Sequence, residues 1–248
     1  MPASYQRSKE DETPKVWGLV LSRKGSKRLP GKALLPLLEK PLAQYTFEAA
    51  KESRLLEKTW IFSDDEALLA LAKTQGISIP EFERPEHISQ DETSTEESIR
   101  YFLSRFENQQ RPDLIMLLQP TSPLRTSGDV DAAIQRMINA PSADGLISVT
   151  PPPKPLSWVY RMDKAGSLKQ AGIACETPGE KLLLPNGAIY IIRPKHVLAG
   201  KNIGEGHYIG FEMPANRSVD IDTAEDFGYA EYLLKTRHNS IQQNPMVS

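Results

Sequence analysis

The chain has 248 residues, of which 39% are hydrophobic and 25% charged, and its formal net charge is -2 at pH 7. This is the balance of a soluble globular chain able to bury a full core, and it excludes bulk nucleic-acid binding, which needs a broad positive field. With one cysteine, Cys175, four histidines and no apolar run of membrane-spanning length, it argues against a disulfide framework, a structural zinc site and a membrane span, and a cytoplasmic setting is expected.

Residues 1–14 are polar, lack the apolar core of a signal peptide and are expected to fray. Val16–Leu21 reads as a buried strand that empties into Leu21-Ser-Arg-Lys-Gly-Ser-Lys-Arg-Leu-Pro-Gly-Lys32. This loop gathers Arg23, Lys24, Lys27, Arg28 and Lys32 around Gly25, Ser26 and Gly31, so backbone N–H groups and cations can surround one polyphosphate. It is not a Walker A loop, because five residues separate Gly25 from Gly31 and Ala33 follows Lys32 where a hydroxyl would be needed. By charge alone it is a solvated basic surface; the preceding strand and the Leu-Pro-Gly turn favour an anion cradle.

The predicted elements then alternate. A helix over Pro41–Ser53 is followed by a strand at Thr59–Ser63, a helix over Glu66–Gln75 and a short strand at Ile77–Ile79. Thr95–Phe106 is a helix with Ile99, Phe102, Leu103 and Phe106 on one face. Leu114–Leu118 is continuously apolar, as a strand covered on both faces must be. Ser127–Asn139 is a helix opened by a capping box of Thr126 with Asp129, and Leu146–Val149 is a strand. The rhythm breaks at Pro151, beyond which one hairpin is expected, Trp158–Met162 with Leu168–Gln170. Residues 151–184 are too few for a domain and read as an inserted arm, whose Trp158 and Tyr160 would meet a second copy or fold back on their own subunit. Strands at Gly187–Ile192 and Val219–Asp222 and a helix over Ala224–Lys235 complete the pattern, with residues 238–248 as a flexible tail. The alternation predicts one α/β domain over residues 15–237, a three-layer sandwich on a mainly parallel sheet, with ligands at the carboxyl ends of its strands.

Three further places could carry chemistry. Asp220 and Asp222, two apart on an expected strand, would share a face and offer hard oxygen ligands to magnesium. Gln119-Pro-Thr-Ser-Pro-Leu-Arg125 follows the buried strand and presents Gln119, Thr121, Ser122 and Arg125 on a proline-set turn. Arg84-Pro85 with Asp91–Thr95 places hydroxyls at a helix start, where a site and a simple cap are equally good readings.

Taken with Pro185-Asn-Gly-Ala-Ile-Tyr-Ile191 and Val219-Asp-Ile-Asp-Thr223, these motifs occur in an order and spacing that resembles the acylneuraminate cytidylyltransferases, or CMP-sialic acid synthetases. The resemblance runs from Val16 to about Leu234. It implies transfer of CMP from CTP to the anomeric hydroxyl of a sialic-acid-like nonulosonic acid, with magnesium as cofactor, pyrophosphate as product and a homodimer joined by the arm. It implies that Arg23, Gly25, Ser26, Lys27, Lys32, Arg84, Ser94 and Thr95 bind the nucleotide. Gln119, Thr121, Ser122, Arg125, Asn186 and Gly187 would bind the sugar, and Asp220 and Asp222 the metal. Arg23, Lys32 and Asp222 would act in catalysis, with the proton acceptor left open. The chain departs from the family at Ala33 (asparagine in the family), at Leu184 (arginine) and at Ser157 (lysine). Lys154, Arg161 or Lys181 could replace the two missing cations. The competing readings are a cytidylyltransferase for another 2-keto sugar acid, such as Kdo or pseudaminic acid, and a non-catalytic nucleotide-binding homologue.

Overall fold

The structure, a computed structural model, describes residues 13–25, 29–173, 175 and 177–243. In chain order, β1 (Val16–Leu21) is followed by a two-stranded ribbon of β2 (Pro36–Leu37) and β3 (Lys40–Pro41), then by α1 (Leu42–Lys51), β4 (Lys58–Phe62) and α2 (Glu66–Thr74). Next come α3 (Thr95–Ser104), β5 (Leu114–Leu118), α4 (Ser127–Ile138) and β6 (Gly145–Thr150). The arm carries β7 (Tyr160–Met162) and β8 (Leu168–Gln170), and the chain returns through β9 (Leu184–Ile192), α5 (Pro194–Leu198), β10 (Tyr208–Glu212) and α6 (Ala224–Gln243).

The main sheet has the order β10-β6-β9-β5-β1-β4, parallel throughout except for β9, which runs against both neighbours. Alternation along the strands divides the core into two layers. Leu114, Met116 and Leu118 pack with Phe47 of α1, Leu68 of α2 and Ile134 of α4, whereas Ile115 and Leu117 pack with Phe102 of α3 and Val197 of α5. Every residue of β5 is buried, which is why its sequence shows no polar alternation. At about 1.5–3 kcal/mol for each large side chain removed from water, these two layers supply the main stabilising term.

Several elements differ from the sequence reading, which had neither the β2–β3 ribbon nor α5. The expected strand at Ile77–Ile79 shrinks to one bridge from Ser78 to Trp60, because Pro80 follows with no N–H to continue a ladder. Val219–Asp222 is not a strand, and the sheet edge beside β6 is formed by β10, a half-buried strand whose glycine-containing sequence shows no clean alternation. The β9 strand begins at Leu184, so the arm ends inside a strand. Finally, α6 runs on to Gln243, past the tail expected from residue 238, since neither glycine nor proline interrupts the sequence between Gly228 and Pro245. The arm hairpin forms as expected, and its residues stay exposed: Trp158 at 65% and Met162 at 72%.

Helix starts are set by the expected side chains. Thr126 and Asp129 form a reciprocal capping box on α4, and Asp129 is also gripped by Arg217, through Nε at 2.9 Å and Nη2 at 2.8 Å. Burial pushes the Asp129 carboxyl up, but donors from Arg217 and Thr126 outweigh it and hold it below the usual aspartate range. Stability from such a group is complete above its unfolded pKa and is lost as pH falls through its depressed native value. Arg217→Met should therefore cost about 1–3 kcal/mol at neutral pH. In urea melts from pH 7 to pH 2 its deficit against the wild type should shrink through the acid range; a constant deficit would show that the carboxylate is not what Arg217 stabilises.

Candidate active site

A cleft of about 570 Å³ opens at the carboxyl ends of β1 and β5. These strands flank the point where the chain, having added β4 on one side of β1, crosses back to add β5 on the other. Such switch points leave a crevice because successive connections depart in opposite directions. The floor is made by Leu19, Leu21, Leu117 and Leu118, and the walls by the loop after β1, the start of α3 and Gln119–Thr121.

Within this cleft stand Arg23, Gly25, Lys32, Arg84, Ser94, Thr95, Gln119, Thr121 and Asp222 of the expected set. Ser26 and Lys27 lie outside the described residues. Gly31, at φ +64°, adopts the left-handed conformation that suits glycine and turns the chain into a short 3-10 segment from Lys32 to Leu34. From there Lys32 Nζ reaches Asp222 Oδ1 at 3.0 Å and the Ile221 carbonyl at 2.8 Å. Arg23 pairs with Asp91 across the cleft mouth. Ser94 caps α3 in a capping box with Glu97 and also lines the cleft, so the cap and the site coexist.

Arg84 works as a fastener. Its guanidinium donates to the carbonyls of Ser22 and Ile88 at 3.0 and 2.9 Å and to the Ser98 hydroxyl at 3.2 Å. Burial pulls its pKa down, Asp64 opposes this and Arg23 adds to it. It thereby ties the loop after β1 to α3 while edging the cleft.

Arg125 and Asn186, two of the expected sugar contacts, do not line the cleft. Arg125 is only 3% exposed and sits beneath the Gln119–Arg125 turn, donating to Ala188 O at 2.6 Å and Thr46 Oγ1 at 2.7 Å. Burial presses its pKa down to about 10, against the pull of Asp129. Asn186 is likewise buried: it accepts from Ser148 Oγ at 2.6 Å and donates to Ser218 Oγ at 2.8 Å. Both residues build the site from behind, since a turn that aims polar side chains outward needs its own carbonyls bonded inward. Ser122 is also buried, at 1% exposure, with its hydroxyl unpartnered.

Asp220 and Asp222 lie on an irregular segment, not on a strand, so side-chain and backbone ties set their positions. Ile221 N donates to Thr121 O at 2.8 Å and its side chain is buried in a small core with Leu37, Leu42 and Ala230. Gly187, at φ +74°, is packed so closely that a Cβ there would stand 2.9 Å from Asp220 Oδ2. Asp220 Oδ1 is buried with no hydrogen-bond partner. Burial pushes its carboxyl up; a Thr121 hydrogen bond and Lys32 oppose this, and the charges of Asp222 and Asp226 add to it. An oriented, desolvated carboxylate oxygen beside a second carboxylate fits a divalent cation, and magnesium in particular takes one or two carboxylates plus substrate phosphates.

Ser22 and Thr93, which fall inside the loop after β1 and the hydroxyl cluster before α3, also line the cleft, and Asp65, Gln90 and Ser98 join them from outside the expected segments. Asp65 follows β4 closely, which is a usable signal, whereas Gln90 sits in a loop with no periodic pattern. Ala33 does line the cleft, which makes the missing side chain there a matter for the ligand. In the arm, Ser157 occupies a one-turn 3-10 segment and Leu184 is 38% exposed; of the possible replacement cations, Lys181 pairs with Glu212 at 2.8 Å while Lys154 and Arg161 are exposed.

A cleft of this kind, with Arg23 and Lys32 beside Asp222 at the switch point of a mainly parallel sheet, defines an α/β protein whose crevice suits an anionic ligand. The chain belongs to the cytidylyltransferase family, whose model matches residues 17–242. It is 31% identical over 219 residues to an N-acylneuraminate cytidylyltransferase of Escherichia coli O18:K1:H7, covering 87% of this chain and 51% of that protein. It is 29% identical over 236 residues to a CMP-N,N'-diacetyllegionaminic acid synthase of Legionella pneumophila, covering 92% and 99%. This chain thus spans about half the length of the first relative and nearly all of the second. Its fold matches that of a CMP:2-keto-3-deoxy-manno-octonic acid synthetase solved with CTP, at TM-score 0.68 and 18% identity over 90% of this chain and 99% of that one. Among the described residues no helix is long and apolar enough to cross a membrane.

Because burial, with the charges of Asp222 and Asp226, disfavours the ionised Asp220 carboxyl, Asp220→Asn should stabilise the protein when divalent cations are chelated, raising Tm by about 2–4 °C at neutral pH. The gain should vanish as pH falls and the wild-type carboxyl protonates. Calorimetry in EDTA checks this; a lowered Tm would mean that Asp220 is already well paired.

Proposed function

We propose that this chain transfers CMP from CTP to the anomeric hydroxyl of a nonulosonic acid of the sialic or legionaminic type, releasing pyrophosphate. The observation that carries the reading is the convergence of Arg23, Lys32 and Asp222 in one cleft at the ends of β1 and β5. The names of the relatives, which act on such acids, support the sugar class.

The chemistry asks mostly for positioning and charge. The sugar hydroxyl attacks the α-phosphorus in line and pyrophosphate departs, so no covalent intermediate on the protein is needed. Arg23 and Lys32 would neutralise the triphosphate, and Ser94 and Thr95 would face the nucleoside from the start of α3. Gln119 and Thr121 would orient the sugar, with Gly187 letting Asp220 pack closely against the start of β9. Asp220 and Asp222 would hold magnesium, which when bound screens phosphate charge and polarises the α-phosphoryl group. The base that takes the hydroxyl proton is not assigned. Ala33 presents only a methyl group to the cleft, so base selectivity must rest on other contacts.

We also read the arm as the contact of a homodimer. Tyr160, Met162 and Leu168 are exposed together on a short hairpin, with Met162 directly opposite Leu168. Lys154 and Arg161 on the same arm could then supply positive charge for the sugar carboxylate. The lone cysteine is in keeping with a cytoplasmic enzyme.

Pyrophosphate release should be measured with each of the four nucleoside triphosphates against sialic, legionaminic and pseudaminic acids and Kdo, with and without magnesium. Magnesium-dependent turnover with CTP and a sialic- or legionaminic-type acid is expected, and Lys32→Met should lower kcat by about 10²–10³. Turnover with no pair would leave a nucleotide-binding protein without transferase activity, and preference for another triphosphate would trace to Ala33. Sedimentation velocity should find a dimer that a Tyr160→Asp, Met162→Asp double variant converts to monomer; an unchanged wild-type monomer would remove the arm from the assembly.

A further inference from the structure

The position of Lys32 carries a consequence beyond phosphate binding. Its ammonium does not point freely into the cleft. It is bonded to Asp222 Oδ1 at 3.0 Å and to the Ile221 carbonyl at 2.8 Å, with side-chain exposures of 19% for Lys32 and 34% for Asp222. Both ends of this contact are anchored. The Lys32 backbone starts the 3-10 turn fixed by Gly31, and Asp222 N donates to Asp226 Oδ2 at 3.1 Å in the network that starts α6. Around them, Asp220, Asp222 and Asp226 crowd three carboxylates into seven residues of chain. Like charges so close repel, and the repulsion grows as water is excluded.

We propose that Lys32 is a built-in counter-ion: in the unloaded protein it occupies the Asp222 member of the carboxylate pair in place of a divalent cation, and on loading it crosses to the triphosphate. This rests on the reading of Asp220 and Asp222 as the metal carboxylates. Two features support it beyond the contact itself. The buried, unpartnered Asp220 Oδ1 shows that the ammonium satisfies the pair only in part, leaving an oxygen that a second, more highly charged ion can use. The same cleft wall holds both Lys32 and Asp222, so a polyphosphate entering it offers the ammonium another partner within the reach of a flexible side chain.

The consequence is coupling. A divalent cation arriving alone must displace Lys32 from Asp222 and leave the ammonium without an anion. Arriving with the nucleotide, it displaces Lys32 onto phosphate oxygens. Metal and nucleotide therefore favour each other's binding through Lys32, and by linkage the effect is reciprocal. The device also protects the empty protein, because the carboxylates are never left facing one another without a cation.

The test reads metal binding without nucleotide, so it does not depend on turnover. Mn2+ affinity is measured by electron paramagnetic resonance for the wild type, Lys32→Met, Lys32→Arg and Lys32→Met combined with Asp222→Asn. Circular dichroism confirms that each is folded, and Tm is measured with and without Mg2+. Removing the resident charge should tighten Mn2+ binding by about tenfold, allowing for solvent screening. Lys32→Arg should bind as weakly as the wild type, the double variant should lose the gain, and Mg2+ should raise the Tm of Lys32→Met more than that of the wild type. Equal or weaker Mn2+ binding by folded Lys32→Met would overturn the counter-ion proposal without bearing on whether the wild type transfers CMP. A wild type that turns over no nucleotide and acid pair, with Mn2+ binding tightened in Lys32→Met, would sink the transfer reading and uphold the counter-ion.

Discussion

A guanidinium withdrawn from water must find acceptors, and the cleft depends on how Arg125 meets that requirement. It sits under the turn after β5 and bonds to the backbone of β9 and to the Thr46 hydroxyl of α1. Three elements far apart in sequence are thereby tied at one point, and the Gln119 carbonyl joins them at 3.4 Å. With its carbonyls drawn inward, the turn presents Gln119 and Thr121 to the cleft. Breaking such a buried charge network costs more than its bonds return in net stability, because the orphaned partners stay desolvated. The stiffness of the cleft follows from that asymmetry.

The rest of the cleft is organised by charge balance. Arg23 is paired with Asp91, Lys32 with Asp222, and Arg84 is spent on backbone carbonyls. Among the described residues, Arg23 and Lys32 of the loop after β1 are thus already partnered by carboxylates, which limits self-repulsion in the empty protein. Asp220 is the exception: it is desolvated and only partly satisfied, the usual condition of a group whose partner is a ligand.

Legibility followed the range of the forces involved. β5, α3 and α4 were readable because burial and helix periodicity act within a few residues, and the Thr126–Asp129 cap because its partners are three apart. β10 was missed because an edge strand with one wet face needs little patterning. The Asp220–Asp222 segment was misread as a strand because Val-Asp-Ile-Asp alternates correctly; Ile221 is buried as that pattern requires, but against α1 and α6, not in the sheet. Arg125 and Asn186 were assigned to the ligand because a polar motif on a turn looks the same whether its side chains face out or in.

By itself the sequence determined the α/β class, the order of most elements, the two carboxylates, the basic loop after β1 and the arm's exposed hairpin. All of these are written in local periodicity, turn chemistry and residue type. Only the tertiary structure decided which polar groups face the cleft and which brace it from behind. It alone brought Lys32 onto Asp222, 190 residues away in sequence. The physical reason is that the direction of a buried polar side chain is set by acceptors contributed from other elements, and those are assembled only when the sheet closes its order around β1 and β5.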